Sequence, residues 1–124
     1  MAYSETLNLV TGDTLPALLL KLKDKNKPVS GLALDPDNSA TWDPIDITGA
    51  TVKLRIRQLG ATTVTDTRTC LITTPTAGEC ETDFLTTTFS SAGTYEGEVE
   101  ISYANGAIQT VHDLVKFKVR EDFN

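Results

Sequence analysis

The chain has 124 residues, the size of one domain with a single core, and it is read as one domain over 1–124. A formal net charge of −6 and an apolar fraction of 40% fit a soluble globular protein, and argue against nucleic acid or an anionic membrane surface as a partner. The longest apolar run, Leu15 to Leu20, contains Pro16 and is too short to span a bilayer; the N-terminus has no basic stretch followed by an apolar one, so no export signal is visible.

Glu5 to Val10 places Leu7 and Leu9 on one face of a short first strand, and Thr11-Gly-Asp-Thr follows as a turn. Leu15 to Lys23 has two readings. Asp13 or Thr14 could cap a helix with Pro16 in its first turn, whereas Leu18, Leu20 and Leu22 alternate with Lys21 and Lys23 as in a strand. The strand is favoured because Asn26 and Pro28 stop the segment early and its neighbours are all strand-like. Asp24 to Pro28 is then expected as a polar turn.

Both periods vanish from Ser30 to Pro44, which fills with Pro, Asp, Asn and Ser and is expected as a long loop. It holds the only tryptophan, Trp42, together with Leu32 and Leu34. Trp42 either folds back over one end of the core or anchors a partner surface, since large aromatics dominate interface energetics. Interface candidates are therefore Leu32, Leu34 and Trp42, with Tyr3 and Leu7 in the N-terminal segment. Asp35, Asp37, Asn38 and Asp43 carry calcium-type oxygens, but Pro36 and the missing bidentate Glu make a solvated acidic loop the better reading, and no metal or other cofactor is expected.

After the Asp46-Ile-Thr-Gly-Ala turn, where Gly49 can take positive φ, Val52, Leu54 and Ile56 alternate with Lys53, Arg55 and Arg57. This is a half-buried strand with a basic outer face. Thr62 to Thr73 and Gly78 to Leu85 form a threonine-rich hairpin centred on Pro75, which sets Cys70 opposite Cys80 with both pointing inward. Reduced core thiols are the first reading and a cross-strand disulfide the second; two cysteines are too few for a disulfide scaffold or a zinc site. Thr86 to Gly93 is expected as a polar connection.

The clearest strand comes next. Tyr95, Val99, Ile101 and Tyr103 alternate with Glu96, Glu98, Glu100 and Ser102, giving one apolar and one acidic face. The acidic stripe could meet the Lys53, Arg55, Arg57 stripe within a sheet or between copies, or both could simply face water. Asn105-Gly106 signals a tight hairpin that would set Tyr103 opposite Ile108 and Ile101 opposite Thr110. The apolar phase shifts near His112 and Asp113, where a bulge or short loop is expected before Val115, Phe117 and Val119.

One histidine, with no nucleophile in a strained elbow beside it, makes a hydrolase triad around His112 and Asp113 a poor reading, and the chain is not expected to be an enzyme. Period-two patterning in at least five segments predicts an all-β protein. Gly12-Asp-Thr-Leu-Pro16, Asp46-Ile-Thr-Gly-Ala-Thr-Val52, Gly93-Thr-Tyr95, Tyr103-Ala-Asn-Gly106 and Val119-Arg-Glu, in that order and spacing, resemble the immunoglobulin-like domain at the N-terminus of phage baseplate upper proteins and related small tailed-phage virion proteins. The fold implied is an immunoglobulin-like antiparallel β-sandwich of about seven strands, with Tyr95 as a tyrosine-corner residue.

The function implied by the resemblance is a non-enzymatic virion protein, made in the host cytoplasm and docked in several copies to other phage structural proteins. No arm for receptor-binding proteins follows the domain before Asn124, so capsid decoration, neck and tail or baseplate accessory roles suit equally. The alternative is a carbohydrate-binding or adhesin-type sandwich, which needs exposed aromatics in a row; only Trp42, Tyr3 and Phe123 are candidates.

Overall fold

The computed structural model describes residues 6–15, 17–111 and 114–123. Among the described residues, eleven strands build two facing sheets and a small side hairpin. The larger sheet runs β1 (Thr6–Val10), β11 (Val115–Arg120), β9 (Gly93–Ser102), β5 (Thr51–Gln58), β6 (Val64–Thr69), with β10 (Ile108–Thr110) also paired to β9. The smaller sheet is β2 (Leu18–Lys21), β8 (Glu79–Thr82), β7 (Leu71–Thr74), and β3 (Lys23–Pro28) pairs separately with β4 (Trp42–Pro44). A three-stranded sheet facing one centred on β5, β9 and β11 is the immunoglobulin-like sandwich arrangement.

One departure from a purely antiparallel sheet is β1, which runs parallel to β11 with Leu7 beside Phe117 and Leu9 beside Val119. Strand, not helix, is the conformation of the ambiguous leucine segment: Leu18 and Leu20 are buried, as the alternation requires. Pro16 lies outside the described residues.

The core fills the space between the sheets. Val52, Leu54 and Ile56 of β5, Tyr95, Val99 and Ile101 of β9, and Val115, Phe117 and Val119 of β11 meet Leu18, Leu20 and Cys80 from the smaller sheet. Phe84, Phe89, Tyr95 and Phe117 form an aromatic cluster with ring centroids 5.1–5.9 Å apart and edge-to-face or tilted geometry. Gly97 in mid-strand makes this packing possible, because a Cβ there would lie 2.8 Å from Leu54 Cδ1 and 3.2 Å from Phe117.

Four local expectations are corrected. Asp24 to Pro28 is not a turn but most of β3, held by pairing with β4 despite its polar sequence. The polar connection Thr86 to Gly93 delivers Phe89 and Thr88 into the core, with Thr88 Oγ1 donating to Asp66 at 2.6 Å. Cys70 is not directly opposite Cys80; Ile72 is.

The fourth correction concerns the Asn105-Gly106 hairpin. Its register sets Ile108 opposite Ser102 and Gln109 opposite Ile101, because the loop has three residues instead of two. Gly106 N–H donates to the Tyr103 carbonyl and Tyr103 N–H to Ala107, so only Gly106 takes positive φ while Asn105 Oδ1 accepts from Ala107 N–H. The break expected at His112 and Asp113 falls outside the described residues.

Candidate docking surfaces

The segment 29–44 is less open than its composition suggests. Val29 N–H donates to Thr41, the Asn38 side chain caps a short 3₁₀ turn at Ser39–Thr41, and β4 then closes on β3. Trp42 is only 6% exposed and belongs to the core; its Nε1–H donates to the Asp35 carbonyl at 2.9 Å and Lys25 Nζ lies 5.4 Å from its ring. The tryptophan thus ties its own loop to the domain, which corrects its candidacy as an exposed anchor.

The acidic oxygens of this segment serve the same closure. Asp35 Oδ1 accepts from Asp37 N–H, Asn38 Oδ1 from Ala40 N–H, and Asp43 pairs with Lys27 at 3.3 Å. Among the described residues no group of three or more His, Cys, Asp or Glu could hold a metal ion. Leu32 and Leu34 remain exposed at the tip, whereas Leu7 is half-buried against the core and Tyr3 lies outside the described residues.

Structural candidates fall where the chain turns or changes sheet. Asp46 Oδ1 accepts from both the N–H and the hydroxyl of Thr48, the hydroxyl bond first and the backbone bond second in holding its carboxyl below the usual aspartate range, and Gly49 completes the turn. Tyr95 enters the core from the start of β9, just after Gly93, and its hydroxyl donates to the Ser91 carbonyl at 2.7 Å, a tyrosine corner. Cys70 is the pivot at which β6 leaves the large sheet and continues as β7 in the small one; its N–H still donates to Val52. Both cysteines are buried free thiols, and their mutual hydrogen bond, followed by burial, pushes the Cys80 thiol up.

The basic and acidic stripes meet within one sheet. Arg57 stands opposite Glu96 and bonds it at 2.8 Å, while Arg55 reaches diagonally to Glu100 at 2.9 Å. Cross-strand pairs of this kind contribute roughly 0.2–1 kcal/mol each, and β11 adds the outward Lys116, Lys118 and Arg120 to the same face.

The outer face of the small sheet is different. Leu19, Glu81 and Leu71 lie side by side across β2, β8 and β7. Leu15, Leu19 and Leu71 are 63%, 64% and 66% exposed. A shallow groove of about 290 Å³ runs here, lined by Leu15, Ala17, Leu71, Glu81 and Asp83 among others.

Sequence reasoning missed this face, although it carried a signal. Leu18, Leu19 and Leu20 are consecutive, and in a strand one of the three must point away from the core. Neither protein-family models nor curated proteins match the chain, so its function has to be read from its fold and surfaces.

Proposed function

We propose that the chain is a non-enzymatic structural component of a tailed-phage virion, held in several copies by protein–protein contacts as a capsid-decoration, neck, or tail or baseplate accessory domain. The observation that carries this reading is the outer face of the small sheet, where Leu15 and Leu71 line one groove and Leu19 stands exposed on the strand beside Glu81, a grouping of apolar side chains that suits a partner surface. The immunoglobulin-like arrangement and the motif resemblance support the class of partner. Burial of Trp42 counts against the carbohydrate-binding alternative, because it withdraws a large aromatic from any sugar-stacking platform.

Quantitative mass spectrometry of purified particles tests the proposal. Stoichiometric, multi-copy presence is the expected result. Absence from washed particles, or tight binding of a glycan by the isolated protein, would overturn it.

A further inference from the structure

We propose that the outer face of the small sheet docks a protein segment presenting a lysine or arginine between apolar side chains, with Glu81 receiving the basic group. Resting on the virion reading only for where that protein is found, this inference adds the surface and its chemistry. The outward acids of this face on and beside β8 are Glu79, Glu81 and Asp83. Lys21 answers Glu79 at 3.7 Å, and Arg68 binds Asp83 through both its side chain at 3.2 Å and its carbonyl at 3.1 Å.

Glu81, between them, has neither an ion pair nor a side-chain hydrogen bond among the described residues. It is half-buried, and its cross-strand neighbours on both sides are leucines, Leu19 and Leu71. A cation brought to this carboxylate with apolar neighbours would cover the leucines and pair the charge in one step.

Charge selects the occupant. A second copy would have to bring outward cations such as Lys116 and Lys118 of β11, whose cross-strand neighbours Glu96, Thr94, Thr6 and Asn8 are polar and would not cover the leucines. An acidic or purely apolar segment would leave Glu81 buried and unpaired. The complementary partner is basic at the centre of its contact and apolar around it.

The test uses purified particles assembled without this chain and the purified protein added back over a concentration series. Leu71→Asp and Glu81→Lys should each weaken rebinding by about tenfold or more, while their melting curves stay close to wild type because both positions face outward. Glu81→Gln should weaken rebinding less and flatten its salt dependence. Leu59→Asp, at another exposed leucine beyond β5, should rebind as wild type.

If wild type rebinds and Leu71→Asp and Glu81→Lys rebind equally well, the docking site is wrong while the virion role stands. If wild type is missing from native particles and does not rebind, both readings fail. Self-association in sedimentation experiments that Leu71→Asp abolishes would make the occupant a second copy and overturn the basic-partner assignment.

Discussion

Gly78 occupies the tightest position among the glycines of the chain. Its φ of 71° lies in the left-handed region, and a Cβ there would stand 2.5 Å from the Leu22 carbonyl oxygen and 2.8 Å from that of Ile45, the point where the ends of β2, β4 and β8 converge. Gly49 has a similar φ of 72° with open space around it. Gly78→Ala should therefore destabilise by about 3 kcal/mol or more, combining the conformational cost with a backbone clash, against about 1 kcal/mol for Gly49→Ala. Urea unfolding of both variants checks the difference; equal costs would show that the clash relaxes freely.

Two further residue-scale outcomes follow from hydrogen bonds. Asp46 keeps its charge below the usual aspartate range, so its contribution to stability is present above that range and fades as pH falls through the lowered value. Thr48→Val should move the Asp46 midpoint upward, part of the way only, because the Thr48 N–H still donates; two-dimensional NMR titration reads this directly. Cys70 and Cys80 should react with a thiol reagent slowly in the native protein and fully after unfolding without reductant. Rapid native reaction would contradict their burial.

At the scale of elements, the loop over 29–44 behaves as an extension of the β3–β4 hairpin. Trp42→Ala should cost about 3–5 kcal/mol in chemical denaturation, the range for removing a buried large aromatic, and the loop's hydrogen bonds to Asp35 should loosen with it. A cost below about 1 kcal/mol would mean that the loop holds without its tryptophan. Sequence periodicity located β5, β9 and β11 well because each has one buried face and one charged face. It failed for β3, whose Lys-Asp-Lys-Asn-Lys-Pro carries no apolar alternation and is held in extended form by pairing with β4. Spacing sets Cys70 in the right layer but against the wrong partner, since nothing local marks the residue at which a strand crosses from one sheet to the other.

For the whole molecule, the sandwich was legible from alternation and turn residues, whereas the outer face of the small sheet was not. Leu19 and Leu71 come from segments far apart in sequence, and only the β2–β8–β7 pairing sets them on either side of Glu81. Trp42 and its loop drew attention because composition is visible without a fold; their closure over the core becomes evident only with the tertiary hydrogen bonds in view. The stripes of β5 and β9 pair within the large sheet, whereas among the described residues Glu81 lies unpaired between Leu19 and Leu71 on the small sheet, so the two outer faces differ in chemistry. The most direct measurement is a cryo-electron microscopy reconstruction of the purified particle. Repeated copies of this sandwich are expected, with the outer face of β2, β8 and β7 against a neighbouring protein and a basic side chain at Glu81; particles without the domain, or copies whose small-sheet face is turned to solvent, would contradict the docking proposal.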